Sequence, residues 1–278
     1  GGSLSVYAVG IAILYMSGEK KDFAVPHAEV KRLRLSVAGN SKFNRLRLEK
    51  RMKMMDQVKV IEIQKSVLEN NDQEAEKLRQ KLRKEKTFLL NLMSSPGAGK
   101  TSCILRILEH LKAEMQIGVM EADIDSSVDA EKVAQSGVEA IQLHTGGMCH
   151  LDAAMTEQGI HQLDTERLDL VILENVGNLV CPAEFDTGAS KNAMILSIPE
   201  GDDKPLKYPL MFSVVDLVLI NKIDCLDYFE FDMQAVKERI HTLNPQAVIL
   251  EVSARTGEGF DRVAEWFREN VNQWRKES

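Results

Sequence analysis

The stretch Leu89–Ser102, LLNLMSSPGAGKTS, constrains this chain more than any other. An apolar run over 88–93 breaks into Ser94-Ser95-Pro96-Gly97-Ala98-Gly99, and a helical pattern begins at Lys100. The run is short and apolar, as a buried strand requires. Strand, glycine-rich turn and Gly-Lys-Thr opening a helix make up the context of a phosphate-binding loop. Gly97, Ala98 and Gly99 let backbone N–H groups turn inward on phosphate oxygens, and the helix start adds partial positive charge. Lys100 is expected to reach the terminal phosphates. The Thr101 hydroxyl, with Ser102 beside it, is expected to serve Mg²⁺ and the phosphates. One departure stands out: the G-x-x-x-x-G-K-[ST] pattern wants glycine at position 94, and this chain has Ser94.

Beyond the loop, apolar runs alternate with amphipathic segments. Strands are expected near 88–93, 117–121, 138–142, 169–174, 193–197, 214–220 and 247–252. Helices are expected near 100–114, 127–136, 149–161, 234–242 and 258–273. Such alternation predicts an α/β fold, a mostly parallel doubly wound sheet. Ligands of such sheets bind beyond the carboxyl ends of the strands. Polar clusters follow those ends here: Glu121-Ala122-Asp123, His144 to His150, Glu174 to Pro182, Asn221-Lys222-Ile223-Asp224 and Ser253-Ala254-Arg255.

The chain of 278 residues divides into 1–54, 55–86 and 87–278. Residues 1–54 carry +7 of charge, leaving −14 on the rest against −7 overall. Gly1-Gly2-Ser3 resembles a cloning remnant, and the apolar run Leu4–Met16 is too short to span a bilayer. The segment reads as an upstream extension without ordered structure, or else as a basic arm for nucleic acid or a membrane surface. Within 55–86, Val58, Ile61, Val67 and Leu68 form one helical stripe, and Ala75, Leu78 and Leu82 form another. Asn70-Asn71-Asp72 is expected to break the two helices with a turn and a cap. Net negative charge argues against a general nucleic-acid binder, and a nucleotide-binding fold with four scattered cysteines points to a reducing cytoplasm.

Asn221-Lys222-x-Asp224 at the end of a late apolar strand is the pattern that reads guanine. The Asp224 carboxylate accepts from N1–H and the 2-amino group together, a donor pair that adenine lacks. Asn221 bridges loops and base edge, and the Lys222 stem lies along the base plane. Ser253-Ala254 fits the last guanine loop, where a backbone N–H donates to O6. GTP and GDP are therefore the expected nucleotides. The usual Asp-x-x-Gly sensor is here Glu174-x-x-Gly177, whose carboxylate is expected to contact Mg²⁺ through water. Asp123 is the other candidate for the metal or for the attacking water; its alternative is an acid at a helix start. Lys100, Asp123 and Glu174 form the expected catalytic set. No catalytic Gln or arginine finger follows Gly177, so slow hydrolysis is expected without closure or dimerisation.

Cys149-His150 and Cys181 are expected on two neighbouring strand-end loops, both on the nucleotide-binding edge. Thiolate and imidazole are ligands of Zn²⁺ and Ni²⁺. The alternative is that both cysteines fill core space. Cys103 and Cys225 read as packing residues, and His144 as a spare ligand or a solvated loop side chain.

Taken together, SSPGAGKT, EADIDSSVDAEKV, TGGMCHLDA, ILENVGNLVCPAEFD, NKID and SARTGEG resemble the HypB family of hydrogenase nickel incorporation proteins over residues 55–278. The resemblance implies a cytoplasmic GTPase metallochaperone delivering nickel to [NiFe]-hydrogenase, with Cys149, His150 and Cys181 as ligands of Ni²⁺ or Zn²⁺. It implies a GTP- and metal-dependent homodimer, with the nickel-maturation partner HypA and the hydrogenase large subunit as further partners, and neither nucleic acid nor membrane. The competing readings are a urease-type nickel-chaperone GTPase, which would carry a Cys-Pro-His motif, and a GTP-regulated switch with structural cysteines.

Overall fold

A computed structural model of the chain describes residues 63–123 and 128–277. The readings made for residues 1–54, and for the first stripe up to Glu62, lie outside the described residues. Seven strands follow the apolar runs: β1 (Phe88–Ser94), β2 (Ile117–Asp123), β3 (Glu139–His144), β4 (Leu170–Glu174), β5 (Lys191–Ser197), β6 (Leu217–Asn221) and β7 (Val248–Glu251). Their order is β3-β2-β4-β1-β5-β6-β7 and every pairing is parallel. The sheet is thus wholly parallel, where the sequence predicts a mostly parallel one. Central strands are buried along their whole length, which is why β1, β4 and β6 read as unbroken apolar runs.

The helices are α1 (Ile63–Glu85), α2 (Lys100–Leu111), α3 (Val128–Gln135), α4 (Ala153–Ile160), α5 (Cys181–Glu184), α6 (Lys204–Lys207), α7 (Pro209–Ser213), α8 (Met233–Leu243) and α9 (Phe260–Lys276). α2 and α9 cover one face of the sheet through a core that includes Ile104, Leu108, Phe260 and Phe267. The other face is covered in two clusters, one under α7 and α8 and one under α1 and α4. β1 lies between β4 and β5, so the chain crosses from one half of the sheet to the other at the phosphate-loop strand. Ligand sites of open α/β sheets form at that switch point.

Two expectations are corrected. First, α1 runs unbroken through Asn70-Asn71-Asp72. Local chemistry favours a turn there, but the Asn71 amide is consumed by long-range bonds. It donates to the Asp186 carbonyl (2.9 Å) and accepts from the Ala153 N–H (2.9 Å). Tertiary contacts thus override propensity. Ala75, Leu78 and Leu82 are buried as their spacing predicts, and truncating Leu82 to Ala would cost about 2–5 kcal/mol. Second, the helix expected from 149 begins at Ala153. The Asp152 carboxylate accepts from Met155 N–H (2.8 Å) and caps it there, which leaves Cys149 and His150 on the preceding loop.

Candidate nucleotide and metal site

The phosphate loop follows β1 into α2. Gly99 has φ +100°, and a Cβ there would lie 2.7 Å from Asn221 Nδ2. Both the left-handed backbone and the close approach demand glycine. Ser94, which stands in place of the motif's first glycine, ends β1; its hydroxyl accepts from Lys100 Nζ (3.2 Å) and donates to the Ser95 carbonyl (2.6 Å). The substitution therefore adds a rest position for the lysine. Lys100 Nζ also lies 3.8 Å from Glu174 Oε1, and Thr101 Oγ1 is 3.3 Å from both Glu174 oxygens. Lys100, Thr101 and Glu174 are thus brought together. Ser102 sits exposed on the first turn of α2. Asp123 closes β2, but its side chain lies outside what the structure describes.

Gly177 approaches the loop from the end of β4; a Cβ on it would meet Pro96 at 3.1 Å. The Glu174–Gly177 segment is held from behind by buried amides. Asn175 donates to Asn91 Oδ1 (3.0 Å) and accepts from its neighbour Val176 N–H (2.8 Å).

Asn221 is buried and bridges two loops: its amide donates to the Ala98 carbonyl (2.9 Å) and accepts from Ala254 N–H (3.0 Å). Lys222 occupies the left-handed region (φ 65°), a strained conformation for a non-glycine residue, and its Nζ folds back to the Gly97 carbonyl (2.7 Å). Ser253 Oγ donates to Asp224 Oδ1 (2.6 Å), and the Arg255 guanidinium lies 3.6 Å from Oδ2. The serine bond is the main cause holding the Asp224 carboxyl below its ordinary range. Arg106 on α2, which carries no motif signal, donates to the carbonyls of Ala254 (2.8 Å) and Arg255 (3.1 Å) and ties the phosphate-loop helix to this loop.

Cys149, His150 and Cys181 converge, with their donor atoms all within 4.8 Å of one another. Cys149 Sγ is 2.9 Å from Cys181 Sγ and 3.8 Å from His150 Nδ1. β3 and β4 are not neighbours, since β2 lies between them, yet the loops that follow them meet. The Thr145–Met148 turn delivers Cys149 from one side, and α5 opens with Cys181 on the other. The His150 ring stacks on Phe185 at 3.9 Å. Burial pushes its imidazole below the ordinary value, against the pull of Asp152 and Glu184, which favours the neutral form that ligates a metal. The thiol of Cys149, with burial, raises that of Cys181. Soft thiol and imidazole donors at this spacing suit Zn²⁺ or Ni²⁺. His144 is exposed at the end of β3 and is not part of the cluster. Of the other cysteines, Cys103 is buried as expected, and Cys225 is half-buried with its thiol 3.7 Å from Asp224 Oδ2.

A residue that motif reading missed joins the two sites. Asn178, next to Gly177, donates to the Cys149 carbonyl (3.3 Å) and accepts from Val180 N–H (2.9 Å). Only its position between the sensor glycine and Cys181 hints at this in the sequence.

Residues 88–251 match the family model "CobW/HypB/UreG, nucleotide-binding domain". The hydrogenase maturation factor HypB of Rhizobium leguminosarum bv. viciae is 42% identical over 212 residues, 76% of this chain and 71% of that protein. The chain belongs to the HypB family. Its HypB relatives include that of Escherichia coli K12, 41% identical over 212 residues, 76% of this chain and 73% of that protein. The fold is that of solved HypB structures. The Helicobacter pylori protein in complex with nickel superposes with a TM-score of 0.70 at 38% identity, covering 73% of this chain and 96% of that one. Archaeoglobus fulgidus HypB gives 0.69 at 37% identity, covering 73% and 100%. This HypB-family chain is a hydrogenase maturation factor and a GTPase of the P-loop class. Among its described residues no helix is long and apolar enough to cross a membrane.

Proposed function

We propose that the chain carries nickel to [NiFe]-hydrogenase and couples GTP binding and hydrolysis to release of the metal. Gly97 to Ser102 hold the phosphates. Thr101, Glu174 and Asp123 serve Mg²⁺, and Lys100 neutralises charge at the terminal phosphates. Asn221, Lys222, Asp224, Ser253 and Ala254 form the guanine pocket. Cys149, His150 and Cys181 take Ni²⁺ or Zn²⁺, with an open position for a water or for ligands of a second copy. The helix α1 (Ile63–Glu85) acts as an appendage of this G domain.

One observation carries the coupling: Asn178 bonds the Cys149 carbonyl while its neighbour Gly177 lies against Pro96 of the phosphate loop. A nucleotide whose γ-phosphate draws Gly177 inward therefore moves the segment leading to Cys181 and pulls on Cys149 as well. Closure over GTP and Mg²⁺ favours a homodimer across this edge, and hydrolysis reopens it for transfer. HypA and the hydrogenase large subunit are the partners such a cycle serves.

Linkage requires that if GTP changes metal affinity by some factor, metal changes GTP affinity by the same factor. Calorimetry of Ni²⁺ and Zn²⁺ against the nucleotide-free, GDP-bound and non-hydrolysable GTP-analogue forms, with the mass of each species in solution, is the test. Distinct affinities and a dimer confined to the GTP-analogue, metal-loaded form are expected. Equal affinities and one oligomeric state throughout would leave two independent sites.

A further inference from the structure

We propose that Asn71 on α1 is a positioning residue for the Cys149–His150–Cys181 cluster, its single amide tying both metal-bearing segments to one helix. The inference rests on the metal-binding reading above.

Asn is a poor choice for a helix interior and a costly group to bury. Asn71 is nevertheless 5% exposed in the middle of α1. Both ends of its amide are satisfied by backbone from elsewhere. Oδ1 accepts from Ala153 N–H, three residues after His150, and Nδ2 donates to the Asp186 carbonyl, five residues after Cys181. The Ala153 N–H belongs to the first turn of α4, where no carbonyl within the helix can take it. Asn71 thus closes that helix start and holds the far side of the second loop with the same group.

A second grip lies two turns along the same helix. Arg79 Nη2 reaches both oxygens of Asp186 (2.8 and 2.7 Å), and its Nε donates to the Ala189 carbonyl (3.0 Å). Asp186 Oδ1 also accepts from Gly188 N–H (2.8 Å), so the turn leaving the metal loop is fixed to the helix as a unit. The helix itself cannot shift freely. Ala75, Leu78 and Leu82 follow Asn71 at helical spacing and are buried. Among the described residues, the direct side-chain ties between the two loops are the Cys149–Cys181 thiol contact, the Asn178–Cys149 bond and the Phe185–His150 stack. Ligand orientation by outer groups typically governs about 10–100-fold of metal affinity.

The test uses the full chain with Asn71→Ala, Asn71→Asp and Arg79→Ala. A metal-free readout comes from dibromobimane, which bridges two adjacent thiols, each displacing a bromide as its proton leaves. Bridging of Cys149 to Cys181 is expected to slow several-fold in Asn71→Ala. Affinity for Ni²⁺ and Zn²⁺ should fall about 10–100-fold, with an altered thiolate-to-nickel absorption band. Basal GTP hydrolysis should be unchanged. Asn71→Asp keeps the acceptor for Ala153 N–H and loses the donor to Asp186, so it should fall between Asn71→Ala and the parent protein. Arg79→Ala should reproduce part of the effect, and it carries the test if Asn71→Ala fails to fold. Bridging rates equal to the parent in the folded variants would overturn the proposal. If instead the parent binds neither metal while the variants still slow bridging, the metal reading fails and the positioning role stands.

Discussion

The Thr101 hydroxyl lies 3.3 Å from both carboxylate oxygens of Glu174, one residue from the phosphate-loop lysine. Thr101 is the second residue of α2 and Glu174 ends β4, the strand paired beside β1, so two separate motifs meet at one point of the sheet. A hydroxyl and a carboxylate at that spacing offer oxygen ligands to Mg²⁺, directly or through water.

Glu174→Gln is therefore expected to raise the Mg²⁺ concentration needed for half-maximal GTP hydrolysis by about tenfold or more. The amide keeps the shape and removes the charge, so the melting temperature should move little. A Mg²⁺ titration of turnover reads the effect, and an unchanged midpoint would remove Glu174 from the metal's surroundings.

Gly99→Ala tests the joint between phosphate loop and guanine loop. The new Cβ would lie 2.7 Å from Asn221 Nδ2 and would also sit on a φ of +100°. Strain of this type costs about 1–3 kcal/mol. Pushing Asn221 aside breaks its bonds to Ala98 and Ala254 together. Nucleotide affinity should drop about tenfold or more by calorimetry; affinity like that of the parent would show that the loop tolerates the side chain.

Asp224→Asn should shift preference from GTP towards xanthosine triphosphate. Asn donates to the 2-oxo group of xanthine and still accepts from N1–H, whereas Asp offers acceptors alone. A change in the affinity ratio of about 10²-fold is expected, because a mismatched donor pair leaves buried polar groups unpaired. Ser253 Oγ is a donor to Asp224 Oδ1, and Arg255 faces the other oxygen. The single amide oxygen of Asn can keep the serine donor, while its NH₂ replaces the oxygen that Arg255 faces, so that ion pair is lost. A competition assay with the two triphosphates decides it, and persistent preference for GTP would release Asp224 from reading the base.

Cys103 should resist alkylation in the folded chain. Burial, with the Glu174 charge second, pushes its thiol up to about 12 from an ordinary 9.0. A raised thiol pKa means a scarce thiolate: about one in 10⁴ at pH 8, rising tenfold per pH unit up to that value. Iodoacetamide at pH 8 should label Cys149 and Cys181 and spare Cys103, which becomes reactive on denaturation. Peptide mapping by mass spectrometry reads this directly, and early labelling of Cys103 would contradict its packing against the sheet.

What the sequence determined by itself was carried by contiguous pattern, apart from the turn expected at 70–72 and the helix start expected at 149. Strand runs, helical stripes and the Ser94–Thr101 loop are local signals, because backbone periodicity and turn chemistry act within a few residues. The order of polar clusters at strand ends likewise placed Glu174, Asn221 and Ser253 on one edge, since parallel strands joined by helices all point the same way. Three things were left to the tertiary structure. Asn71 reads locally as a turn residue and becomes helical because its partners, Ala153 and Asp186, lie 82 and 115 residues away. Cys149 and Cys181 meet although β2 separates their strands, since strand order is a property of the whole sheet. Asn178 and Arg106 join loops that no spacing rule connects. Bonds of this kind depend on which surfaces the core brings together, and that is decided only when the sheet and its helices have packed.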